Sequence, residues 1–156
     1  MLAENGYIDL AYNMIVRPDY PSYGNWVKRG ATTLWESFQP EGGRVLSLNH
    51  HFWGDISAWF YTYLAGIKIN PTGRDVKNID IVPLFPEKLN SVSAHYDTPN
   101  GRISVAWERT VENSVILKII AAEKLHGKIL PPDGFAFEDG AHEAELKNGE
   151  FAIKRL

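Results

Sequence analysis

Ser91-Val92-Ser93-Ala94-His95-Tyr96-Asp97-Thr98-Pro99-Asn100-Gly101-Arg102-Ile103-Ser104-Val105-Ala106-Trp107 is the run from which the architecture follows. Its apolar residues alternate, Val92, Ala94 and Tyr96 and then Ile103, Val105 and Trp107, which is the two-residue period of strands with one buried face. Thr98-Pro99-Asn100-Gly101 between them is a turn, because proline presets one dihedral and Asn-Gly tolerates positive φ. The run predicts a β-hairpin. Ile79, Ile81 and Pro83 before it, and Val115–Ala121 and residues 128–130, 135–137 and 150–154 after it, carry the same strand character. Together they predict an antiparallel β-sandwich or jelly roll over residues 77–156.

Nearer the N-terminus the period is different. Leu2, Tyr7, Leu10, Ala11, Met14 and Ile15 recur roughly as i, i+3, i+4, the helical spacing. Arg17-Pro18 should stop this first helix, since proline disfavours the helical conformation of the residue before it. A short helical piece is expected over residues 25–29, capped from Ser22, and an exposed loop at Gln39-Pro40-Glu41-Gly42-Gly43. A further helix should begin after Gly54, with Ile56, Trp59, Phe60, Tyr63 and Leu64 on one face and Gly66 at its end. The change of period, marked by Pro71-Thr72-Gly73, falls near residues 70–77. Two helices and part of a third make a poor independent core, because an amphipathic helix needs another layer on which to bury its face. Residues 1–70 are therefore expected to pack against something more, either an upstream segment or a second copy in a homodimer.

The 156 residues correspond to about one domain by the ~100–200-residue prior. A net charge of -3, without a run of like charges, gives no footprint for nucleic acid, and none is expected as a partner. With no cysteine there is no disulfide, thiolate nucleophile or cysteine-ligated metal. The sequence Met1-Leu2-Ala3-Glu4-Asn5-Gly6-Tyr7 has neither a basic segment nor a long apolar run. No later stretch approaches ~18 apolar residues, so no membrane association is expected and localisation stays open.

Five Trp, seven Tyr and seven Phe make up 12% of the chain, and four of the Trp precede residue 60. Such rings serve either as stacking platforms for sugars or as core filler. Trp26, Trp35 and Trp53 fall in connections, where a core role is harder to explain. Glu36 follows Thr32-Thr33-Leu34-Trp35, and a carboxylate beside a bulky ring can have its proton affinity adjusted by partial desolvation, as a general acid or base requires. The alternative for Glu36 is a solvated loop-edge carboxylate. His50 and His51 are neighbours, so they cannot form the i, i+4 pair of a helical metal site, and neither a metal nor a cofactor is expected. Each is either a hydrogen-bond donor to a ligand hydroxyl or a structural residue, with Asn49 adding a polar group beside His50. No Gly-x-Ser-x-Gly elbow and no phosphate-binding glycine loop occurs.

Several blocks occur together in an order that resembles the C-terminal portion of bacterial α-L-rhamnosidases. They are Glu4-Asn5-Gly6-Tyr7, Asp9-Leu10-Ala11-Tyr12, Tyr20-Pro21-Ser22-Tyr23-Gly24, Gly30-Ala31-Thr32-Thr33-Leu34-Trp35-Glu36, Asn49-His50, Ala58-Trp59-Phe60-Tyr61 and Tyr96-Asp97-Thr98-Pro99. The resemblance implies an α+β, multidomain chain. Residues 1–70 would be the end of an (α/α)6 six-hairpin barrel and residues 77–156 a C-terminal β-sandwich. It implies further that Glu36 is the general base of an inverting glycoside hydrolase, with His50 and Trp35 at the rhamnose subsite. Inversion requires two carboxyl groups ~6.5–9.5 Å apart. In the family the general acid belongs to barrel segments upstream of the region matching Met1, so neither Asp55 nor Glu41 is assigned that part. The expectation is a fragment that does not hydrolyse glycosides alone, its substrate class being rhamnose-containing carbohydrate. The alternative is a carbohydrate-binding or purely structural β-sandwich module.

Overall fold

The computed structural model describes residues 1–69 and 75–156. Pro71-Thr72-Gly73, read above as the mark of the change of period, lies outside the described residues. Two compact units are present, Met1–Ala58 and Trp59–Leu156. Among the described residues no helix is long and apolar enough to cross a membrane.

The first unit is mostly loop. After a 3-10 turn at Ala3–Asn5, helix α1 spans Ile8–Val16 and ends where Arg17 turns extended, at φ -58° and ψ 142°, before Pro18. Helix α2 spans Tyr23–Lys28 and is capped as expected, with the Asn25 amide donating to Ser22 Oγ at 2.9 Å. The Ser22 hydroxyl in turn reaches the Arg17 and Asp19 carbonyl oxygens, which ties the cap to the end of α1. Here a glycine is required, because a Cβ on Gly24 would lie 2.3 Å from the Val16 carbonyl oxygen. The segment from Gln39 to Gly43 is a loop, as predicted. Helix α3, Asp55–Trp59, is only five residues and runs into a π-helical turn at Phe60–Leu64, shorter than the apolar spacing suggested.

Among its described residues the second unit has nine strands: β1 Ile67–Ile69, β2 Ile79–Ile81, β3 Ser91–Thr98, β4 Gly101–Arg109, β5 Val115–Ala121, β6 Lys128–Ile129, β7 Phe135–Phe137, β8 Ala144–Glu145 and β9 Gly149–Arg155. They make a four-stranded sheet ordered β1-β2-β6-β8 and a five-stranded sheet ordered β3-β4-β5-β9-β7. Ile67, Ile79, Ile81 and Ile129 of the first sheet share one hydrophobic core with Ile103, Val105, Trp107, Val115, Leu117, Ile119 and Ile153 of the second. Two sheets around one core are a β-sandwich. The hairpin registers Thr98 with Gly101 and Val92 with Trp107, and of the turn residues only Gly101 takes a positive φ, 122°.

Three features depart from the expected pattern. The pairing is antiparallel except that β2 and β6 run parallel, Ile81 opposite Ile129. Strands β1 and β8, of three and two residues, are too short to show a period. Tyr96 shares the spacing of Val92 and Ala94 yet is 44% exposed, because it lies at the turn end of an edge strand, where its ring meets Tyr61 edge-on at 6.4 Å. Gly66 closes the helical turn with φ 74°, and a Cβ there would collide with the backbone of Val82 and Pro83.

Candidate active site

The first unit gathers the residues singled out around Glu36. Residues 33–36 and 47–50 run alongside each other and are joined at three points. The Glu36 amide donates to the Ser47 carbonyl at 3.0 Å, the His50 amide donates to the Leu34 carbonyl at 2.8 Å, and the Thr33 hydroxyl donates to the Leu48 carbonyl. Backbone bonds across two loops fix the Cα positions of Glu36 and His50 without any regular element, since each bond satisfies a group that would otherwise need water.

Behind these loops lies a cluster of rings. Trp26 stacks on Phe38 with centroids 4.2 Å apart, Tyr23 meets both edge-on at 5.3 Å, and Phe38 contacts Trp53 at 5.1 Å. Trp35 packs on Trp26 at 6.0 Å and is 8% exposed, with the Arg29 guanidinium 4.9 Å from its ring centroid. Trp26 and Trp35 are thus core residues of this unit, although they lie in or beside connections. Loops without ladders need large rings to exclude water, and each such ring buries ~150–250 Å².

Trp53, marked by the sequence only as a ring in a connection, proves to be the hinge of the arrangement. Its indole N–H donates to the Glu36 carbonyl at 3.0 Å, and its own carbonyl accepts from the Tyr23 hydroxyl at 3.1 Å. Burial first, and then the Asp55 carboxylate, push the Tyr23 phenol above its ordinary pKa, so it stays a proton donor to that carbonyl. No periodicity could have marked these bonds, because they join residues 17 and 30 positions apart.

Glu36 and His50 are half-buried, while Asn49 and His51 are exposed. Among the described residues no cation pairs with the Glu36 carboxylate. A carboxylate without a paired cation, on a segment bonded to one that carries an imidazole, can accept a proton from water while the imidazole binds a hydroxyl. His95 and His142 are exposed in the second unit, and His126 pairs with Asp75 at 2.8 Å on its surface.

Residues 1–64 match the family described as the bacterial alpha-L-rhamnosidase 6 hairpin glycosidase domain, and residues 66–121 match the bacterial alpha-L-rhamnosidase C-terminal domain. The chain belongs to the bacterial α-L-rhamnosidase family. It corresponds to the C-terminal portion of these glycoside hydrolases. An alpha-L-rhamnosidase of Formosa agariphila is 31% identical over 172 residues, a match that takes in 100% of this chain and 18% of the relative. One of Alteromonas sp. is 32% identical over 141 residues, or 85% of this chain and 15% of the relative. The chain therefore spans less than a fifth of either rhamnosidase. Among solved structures, Streptomyces avermitilis alpha-L-rhamnosidase complexed with L-rhamnose matches with a TM-score of 0.78 and 24% identity, covering 97% of this chain and 16% of that one. Native rhamnosidase from Aspergillus terreus matches with a TM-score of 0.81 and 21% identity, covering 97% and 18%. At these identities the structural likeness establishes the fold.

Proposed function

We propose that this chain supplies the general base and part of the sugar subsite of an inverting α-L-rhamnosidase acting on rhamnose-containing glycosides or polysaccharides. Residues 1–70 would be the end of the (α/α)6 catalytic barrel and residues 77–156 its C-terminal β-sandwich. Glu36 takes a proton from the water that attacks the anomeric carbon. His50 binds a sugar hydroxyl, and Trp35 forms the rear wall that backs both loops. The observation that carries this reading is the bonding of residues 33–36 to residues 47–50, which holds the segments that bear Glu36 and His50 side by side. No residue here is given the part of general acid, and the 156 residues alone are expected not to turn over an aryl α-L-rhamnoside.

Two further facts support the division of labour. Trp107, the one indole on the strands, is 2% exposed, and its N–H donates to the Leu64 carbonyl at 2.7 Å, so it offers no open ring to a sugar and fits a structural sandwich. Tyr7, just before α1, and Leu10 and Met14 on it are more than half exposed, which suits a cover of protein, either upstream barrel or a second copy. Light scattering on the purified chain distinguishes these, a monomer pointing to the upstream barrel.

The deciding assay uses the native protein that contains these residues. Proton NMR of the first product should show the β-anomer of L-rhamnose, and Glu36→Gln should lower turnover by about 10²–10⁴-fold. An α-anomer first product would overturn inversion, and an unimpaired Glu36→Gln would overturn the base.

A further inference from the structure

The Phe52 amide decides what His50 is able to do. Its N–H donates to His50 Nδ1, 3.1 Å away and two residues back. A ring nitrogen that accepts a hydrogen bond carries no proton, so the proton of the neutral imidazole sits on Nε2. The ring is held from two other directions. His51 lies parallel to it, 10° between planes and 5.1 Å between centroids, and the His50 amide is pinned to the Leu34 carbonyl at 2.8 Å. Among the described residues no protein group meets Nε2.

We propose that His50 is a fixed Nε2–H hydrogen-bond donor to a hydroxyl oxygen of the sugar, and that the Phe52 backbone amide is the positioning group that selects this tautomer. The proposal rests on the sugar-site reading above and deepens it. An imidazole with Nδ1 engaged and Nε2 protonated has no free lone pair, so it cannot take a proton from water. Proton abstraction is thereby left to Glu36, and His50 contributes selectivity instead. A donor fixed in direction rewards a ligand with an oxygen at that position and rejects the deoxy analogue, because the N–H would then be left unpaired.

Two-bond proton–nitrogen correlation spectra of the labelled chain report the ring tautomers directly. The expected result at neutral pH is the Nε2–H form at His50. The Nδ1–H form, or a ring exchanging between both as free imidazole does, overturns the proposal. Phe52→Pro deletes the amide hydrogen and should release His50 into exchange, while Phe52→Ala removes the ring but keeps the amide and should leave Nε2–H in place. If the proline variant fails to fold, the wild-type and Phe52→Ala spectra still decide the tautomer.

Titration of the native protein that contains these residues with L-rhamnose then tests the use of the donor. His50→Gln can place an amide N–H near the Nε2 position and should stay within about threefold of wild-type affinity, whereas His50→Asn reaches only the Nδ1 position and should lose about tenfold. Equal losses overturn the donor assignment. An Nε2–H tautomer in a native protein that binds no rhamnose supports the Phe52 lock while overturning its service to a sugar, and with it the sugar-site reading.

Discussion

Trp26 in the first unit and Trp107 in the second are equally buried, each 2% exposed, and differ in one bond. The Trp107 indole N–H donates to the Leu64 carbonyl, while the Trp26 indole N–H is buried without a partner among the described residues. The contrast extends to their surroundings. Trp107 sits on a strand with Ile103 and Val105, in register with Leu117 and packed edge-on against Phe85 at 5.1 Å. Trp26 sits on a six-residue helix beside Tyr23 of the same helix and the loop rings of Trp35 and Phe38. The sandwich pairs its strand backbones in ladders and buries the inward-facing Ile79, Ile81, Ile103, Val105 and Leu117 completely. The first unit leaves Leu10 and Met14 half exposed and depends on ring stacking and single loop bonds. Loops of that kind are where binding residues concentrate, since a rigid scaffold elsewhere frees them from carrying the fold.

The sharpest way to break this comparison is to truncate both indoles. Trp107→Ala should cost ~3–5 kcal/mol for the lost side chain, and up to ~1–3 kcal/mol more for the stranded Leu64 carbonyl. Urea unfolding followed by the far-ultraviolet β signal measures it. A loss below ~1 kcal/mol would mean that the core does not depend on this residue. Trp26→Ala should cost less, toward ~2–3 kcal/mol, because removing the indole also relieves a buried unpaired donor. It should leave the methyl resonances of Ile81, Val105 and Leu117 in place, and collapse of those resonances would show that the two units do not melt separately. The phenylalanine pair sharpens the point, Trp26→Phe being much milder than Trp107→Phe.

Next in size is the cap. Ser22 is buried at 3% exposure and serves α2 and the end of α1 together. Ser22→Ala should cost ~1 kcal/mol, within the ~0.5–2 range for caps, and Ser22→Thr should recover part of it. A neutral Ser22→Ala in thermal melts of the first unit's near-ultraviolet signal would remove the cap from the account.

Much of this was legible because it is local. Proline after Arg17, serine before α2, Gly66 after the helical turn, and the alternation through Ile103, Val105 and Trp107 are decided by neighbours one to four residues away, and the structure follows them. What escaped is non-local. The pairing of Ile67–Ile69 with Ile79–Ile81 and the parallel match of Ile81 with Ile129 depend on distant partners. Tyr96 keeps the period of a buried strand but lies at the end of an edge strand, where the sheet offers no cover. The candidate site divides in the same way. Glu36 and His50 stand out by residue type, whereas the Trp53 indole on the Glu36 carbonyl and the Phe52 amide on His50 are geometry that no residue type announces.

The smallest expected effect lies on the sandwich surface, at the hairpin from which the architecture is read. The Arg102 guanidinium hydrogen-bonds both oxygens of Asp97, at 2.7 and 2.9 Å, across the β3–β4 turn. That bond holds the Asp97 carboxyl below its ordinary pKa, outweighing the opposing effect of desolvation, with the charges of Arg102 and His95 helping. A carboxyl depressed in the folded state lends stability that is present above its ordinary pKa and is lost as pH falls through the depressed value. The pair is solvent-exposed, so this contribution is small and weakens with salt. NMR titration should therefore find the Asp97 carboxyl protonating below the ordinary aspartate value of about 4. In Arg102→Ala it should move back up toward that value, with little change in melting temperature at neutral pH. An Asp97 that titrates identically in both proteins would mean that the hairpin is held by its strand register and turn alone. A neutral-pH melting temperature that drops by several degrees would mean instead that the surface of the sandwich, like the loops of the first unit, relies on single polar contacts.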